Sequence, residues 1–192
     1  TEELIATLDA VIALEPRHPL ANHLYIHAVE ASPDPGRADA AADRLRDLQP
    51  GLGHMVHMPS HIDVRRGRWQ QAIEANARAI EADRRYTERS PEQDFYRLYM
   101  AHNHHMLGYA AMMSGQSRLA LETMREMVAD VPEEFFRANA FADGMMAMPL
   151  EVMMRFGQWA AILAEPDFPD YAPFSRALRH YARAVAFAAN DD

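Results

Sequence analysis

The chain of 192 residues contains no cysteine and no lysine. Without thiols there is no disulfide framework, no zinc knuckle and no thiol nucleophile. Every fixed cation is an arginine, a bias that fits the codon usage of a GC-rich genome and carries no chemistry by itself. Cations are also outnumbered: 19 arginines stand against 28 acidic residues, for a net charge of −9. Phosphate binding needs clustered cations, so nucleic acid is not expected as a partner. No apolar run approaches the ~18 residues of a membrane span, so no membrane partner is expected either. No signal peptide is read, which points to a cytoplasmic location, or a periplasmic one if a leader has been removed. Thr1 falls inside a helical pattern, as it would in a piece of a longer protein. The familiar catalytic motifs are missing too. There is no phosphate-binding Gly loop and no Gly-x-Ser-x-Gly elbow, and Met58 rather than Glu follows His57, so the zinc-protease helix is excluded.

What is present reads as a soluble helical domain. Apolar residues make up 49% of the chain, enough for a substantial core. No period-2 alternation persists, so strands are not expected. Helical periodicity predicts helices over about 2–14, 19–31, 37–48, 54–66, 70–86, 94–114, 117–129, 134–156, 158–164 and 173–188. The fold class is all-α, as one domain over 1–192.

Glycine punctuation reveals internal repetition. Gly67 is followed by Trp69, Ala72 and Ala79; Gly108, Gly115, Ala120 and Pro132 repeat the pattern; Gly157 and Trp159 begin it again. An earlier copy runs from Pro19 to Pro50, with Pro35-Gly36 at its turn and Ala38 behind it. These residues resemble the tetratricopeptide repeat (TPR) family, whose motif of about 34 residues pairs two helices around a Gly-aromatic turn and closes on Pro. The resemblance covers nearly the whole chain as about four repeats, the first incomplete. It implies antiparallel helix pairs stacked into an α-solenoid. The large aromatic expected early in each first helix is missing. The spacing also stretches, to 48 residues from Gly67 to Gly115 and 42 from Gly115 to Gly157, which places insertions near 84–98 and 132–138. The first of these contains Thr87, Ser90 and Pro91 and reads as a loop.

Ten histidines carry the chemistry. His23 and His27 lie four apart and so share one helix face, with Glu30 three residues further on. His57 and His61 repeat that step, with His54 three residues before. His102 and His105 are three apart on a third helix. These stripes recur in register: His23 to His57 and His27 to His61 are each 34 residues, while His54 to His102 and His57 to His105 are each 48. In the TPR family the second, fifth, ninth and twelfth positions of each first helix line a ligand-binding groove. The resemblance therefore implies that His23, His27, His54, His57, His61, His102 and His105 face one cavity, together with Glu30 and Glu151.

Imidazole is a first-row metal ligand, and such ions take about four to six donors. Seven histidines and one or two carboxylates suit two ions. The expected cofactor is a pair of divalent transition-metal ions, iron or copper, with zinc as the alternative. Iron or copper implies oxidation of a small molecule and zinc implies hydrolysis. Glu30 is also a candidate proton acceptor and Tyr109, at the ninth position of its repeat, a candidate for binding substrate. The competing readings are a register copied by duplication without function, and a peptide-binding or purely metal-binding groove. Oligomers stay open. His18, His104 and His180 fall outside the register and are expected to be structural or surface residues. Asp63 is a candidate partner for orienting an imidazole. The thirteen methionines read as core filler or as soft copper ligands.

Overall fold

The computed structural model describes residues 2–190. Among these residues every regular element is helical and no strand occurs, as the periodicity predicts. The helices are α1 (Glu2–Leu14), α2 (Pro19–Glu30), α3 (Asp39–Leu45), α4 (Gly53–His57), α5 (Pro59–Arg65), α6 (Trp69–Arg89), α7 (Arg97–Met113), α8 (Ser117–Asp130), α9 (Glu133–Ala138), α10 (Met148–Arg155), α11 (Trp159–Ala164) and α12 (Pro173–Ala189). Short 3₁₀ segments lie at Pro35–Ala38 and Asp94–Tyr96, and a longer one at Ala140–Ala147. None of these helices is long and apolar enough to cross a membrane. The chain divides into two compact units, one ending at Ser114 and one beginning at Gly115.

In the first unit α2 packs on α5, and α4 packs on α7, so the histidine-bearing helices are neighbours. Behind them α1 and α3 pack on α2, α3 also meets α5, and α6 packs on α4, α5 and α7. The core between these layers contains Leu8, Ile26, Val29, Leu45, Met58 and Ile62. Burial of such side chains contributes roughly 1.5–3 kcal/mol each. Met58 is fully buried in this cluster, with Met55 packed against it, which is the filler role. In the second unit Leu150, Met153, Ile162, Ala182 and Ala186 form the core where α10, α11 and α12 meet.

Two expected helices are broken. The 54–66 segment divides at Met58, because Pro59 has no N–H to offer; a tighter bond from His61 N to Met58 O, 3.2 Å, bridges the step. The 134–156 segment becomes α9, a 3₁₀ segment and α10, with Pro149 in the first turn of α10. In the stretched region the insertion is largely helix. Helix α6 runs on to Arg89, beyond the predicted end at 86, and a 3₁₀ turn at Asp94–Tyr96 leads into α7, so only 90–93 of the segment expected to be loop lies outside a helix or turn.

Glycines end the helices where the repeat pattern places turns. Gly67 and Gly157 have φ of 69° and 64°. Both close the same cap: Gly67 N bonds Val64 O and Arg68 N bonds Asp63 O, while Gly157 N bonds Met154 O and Gln158 N bonds Met153 O. This is a Schellman motif, and its left-handed residue favours glycine.

Candidate metal centre

The site is built on α2, α4, α5 and α7. His23 and His27 project from α2, His54 and His57 from α4, His61 from the first turn of α5, and His102 from α7. Their rings meet in a continuous chain. His23 lies against His27 and His54, with centroids 4.8 and 5.0 Å apart; His57 lies against His61 and His102, at 4.8 and 5.0 Å. The two groups touch through His54 and His57 at 5.3 Å, and through His27 and His61 at 5.5 Å. Donor atoms converge in three sets: His23, His27 and His54; His57, His61 and His102; and His27, Glu30 and His61.

Hydrogen bonds settle which nitrogen is free on three of these rings, His27, His57 and His61. Asn76 Nδ2 donates to Ala72 O at 2.8 Å, so its Oδ1 must be the atom 3.3 Å from His57 Nδ1. An amide oxygen only accepts, so His57 carries its proton on Nδ1 and turns Nε2 toward the site. Glu30 does the same for two rings at once. Its Oε1 accepts from His27 Nδ1 at 2.8 Å, and its Oε2 accepts from His61 Nδ1. With both Nδ1 atoms committed, the Nε2 atoms of His57 and His61 approach to 3.2 Å. A metal ion between them would give both lone pairs a partner; with His61 doubly protonated on Glu30, the same approach is a hydrogen bond from His61 to His57. A second Nε2 pair, His54 and His23, is also 3.2 Å apart. The Nδ1 atoms of that pair are buried and meet no hydrogen-bonding partner among the described residues.

Electrostatics favours the neutral form of four of these rings. Burial, reinforced by neighbouring imidazoles, lowers His54 and His102 to about 4 and pushes His57 well below its usual value. His23 is lowered for the same reasons. Burial raises Glu30, but the hydrogen bonds from His27 and His61 outweigh it and hold the carboxyl at about 2. Neutral imidazole and ionised carboxylate are the forms that ligate metals.

Six of the seven predicted histidines, and Glu30, therefore come together. His105 remains on the same helix with its ring 6.4 Å from that of His102, outside the converging sets, and burial lowers its basicity. Glu151 belongs to the second unit, on α10, with an exposed side chain. Tyr109 meets Trp69 edge-on at 6.3 Å. The tyrosine against a site histidine is Tyr99, 4.8 Å from His54. Asp63 does not orient an imidazole. It is fully buried between Arg46, which grips both its oxygens at 2.9 and 2.8 Å, and Arg68 at 3.0 Å. His18 caps α2, its Nδ1 accepting from Ala21 N, and His104 is buried and bonded to Met100 O.

Asn76 and Tyr99 were missed by the sequence reading. Asn76 did leave a signal: it falls on the apolar stripe of α6 with Ala72, Ile73, Ala79 and Ile80, where a buried amide needs partners. No protein family, curated protein or solved structure matches this chain.

Proposed function

We propose that this protein is a metal-dependent enzyme acting on a small molecule. Two divalent transition-metal ions are held, one by His23, His27 and His54 and the other by His57, His61 and His102. The observation that carries this reading is the close approach of Nε2 atoms, 3.2 Å in each set. Two imidazoles on one tetrahedral ion, with metal–nitrogen bonds of about 2.0 Å, have nitrogens about 3.3 Å apart. An ion between them would bind both nitrogens at the spacing they already have.

Three protein ligands per ion leave a coordination position for water or substrate, the pattern of catalytic rather than structural sites. Imidazole suits iron, copper and zinc alike. Two adjacent copper(II) ions, or two iron ions first oxidised by dioxygen, would accept two electrons together, so oxidation of the small molecule with dioxygen as the terminal electron acceptor is the favoured class. Zinc in the same donors would support hydrolysis. The scaffold belongs to the same proposal: a TPR-like array in which α2, α4–α5 and α7 are successive first helices. The glycine caps and the alternation of histidine-bearing helices with α3 and α6 support it.

Elemental analysis of protein purified without a histidine tag tests the reading. Two ions per chain are expected, with His57→Ala losing far more metal than His180→Ala. Protein that takes up no metal, and whose melting temperature ignores chelator, would overturn it.

A further inference from the structure

Glu30 is the one carboxylate in the three converging donor sets among the described residues. Its two oxygens serve different sets: Oε1 holds His27, a donor of the first, and Oε2 holds His61, a donor of the second. The carboxylate is partly buried, at 26% exposure, and the His61 side chain more so, at 15%. Both sets otherwise consist of imidazoles, which bring no negative charge, so nothing else within them offsets the charge of two dications.

We infer that Glu30 couples the two ion sites, so that they fill as a pair. The inference rests on the metal-binding reading and adds a regulation of that site. An ion bound at His27 Nε2 withdraws electron density from the ring and makes Nδ1–H a stronger donor to Glu30. The carboxylate is thereby fixed in the position that orients His61 for the second ion. The relation is reciprocal, because coupling free energies between binding sites are symmetric. The carboxylate charge also lies between the sites, where it counters the repulsion of the two ions. Without it the second ion meets a disordered ligand and an uncompensated neighbour.

The neutral variant Glu30→Gln separates these effects from simple loss of packing. Glutamine has nearly the same shape, but its amide offers one acceptor oxygen, and its nitrogen faces an N–H donor. It can accept from one ring; the other must either be released or accept the amide N–H at Nδ1, which puts its proton on Nε2 and blocks that nitrogen as a ligand. Glu30→Asp is a second variant, keeping the charge but too short to reach both rings.

The test titrates metal-free protein with cobalt(II), whose visible absorption reports nitrogen coordination, alongside circular dichroism to follow the fold. The wild type is expected to take up two ions in one steep step. Glu30→Gln is expected to retain the first and bind the second at least about tenfold more weakly, within the roughly 5- to 150-fold range of site couplings. Glu30→Asp is expected to show the same split. Two ions binding wild type independently, or both variants filling as steeply as wild type, would overturn the coupling while leaving the metal sites intact. A wild type that binds no cobalt would overturn the metal reading itself, and the coupling with it.

Discussion

At the scale of the residue, the decisive atom is Asn76 Oδ1. A free histidine places its proton on either nitrogen; His57 has lost that choice, because the amide facing Nδ1 can only accept. Such outer partners are typically worth 10–100-fold in metal affinity. Asn76→Leu is therefore expected to weaken metal binding by about 10–100-fold, while Asn76→Asp, which still accepts from Nδ1–H but loses the bond to Ala72 O, should weaken it less. Competition against a chelating dye measures both, and equal weakening of the two variants would contradict the tautomer argument. The stripes themselves were legible, because residues three and four apart must share a helix face. The partner of His57 was not, because it stands 19 residues away on a different helix. Nor was the fate of Asp63, which pairs with Arg46 rather than with an imidazole.

At the scale of the element, the shortest helix matters most. Helix α4 has five residues and carries two candidate ligands. Too short to be stable by its own hydrogen bonding, it is held by its neighbours. Its first residue, Gly53, lies so close to Asp83 that an added Cβ would come within 2.0 Å of Oδ1. That carboxylate cannot easily retreat, because Asn103 Nδ2 holds it at 2.7 Å and Tyr96 Oη at 3.1 Å. Gly53→Ala is expected to destabilise by about 1–3 kcal/mol, as other insertions into packed sites do. Gly51→Ala, with open space around it, should stay within about 0.5 kcal/mol of wild type. Urea unfolding midpoints would show the difference, and equal values for the two would refute the close-packing account. The element boundaries were partly readable. Pro59 announces the break between α4 and α5, yet the histidine stripe runs through it, because the chain keeps helical dihedrals at Met58, φ −51° and ψ −39°. The extension of α6 to Arg89 was hidden, because Thr87 and Ser90 read as loop formers until Thr87 Oγ1 is seen bonded to Asp83 O.

At the scale of the whole molecule, burying so many imidazoles makes stability depend on acid. In the unfolded chain each histidine takes up a proton near its usual 6.5, whereas His54 and His102 in the fold stay neutral down to about 4. Between those values the unfolded state binds more protons, so stability falls as the pH drops from about 6.5 to 4. Glu30 adds a lower limb. Its carboxyl is held at about 2 against an ordinary 4.5, so its contribution is complete above 4.5 and is lost as the pH falls toward 2. Urea midpoints of metal-free protein at pH 7.5, 6, 5 and 4 are expected to decline throughout; a flat profile across that range would contradict the neutral-imidazole picture. The sequence by itself determined that the chain is helical, that its candidate ligands are histidines and carboxylates rather than thiols, and which residues share each helix face. These follow from composition and from the 3.6-residue period, both local properties. Tertiary structure alone decided the convergence of six imidazoles and Glu30 into three overlapping sets, the place of His105 outside them, and the choice of free nitrogen on His27, His57 and His61. Those outcomes depend on contacts between α2, α4, α5, α6 and α7, and a local period cannot encode a distance across helices.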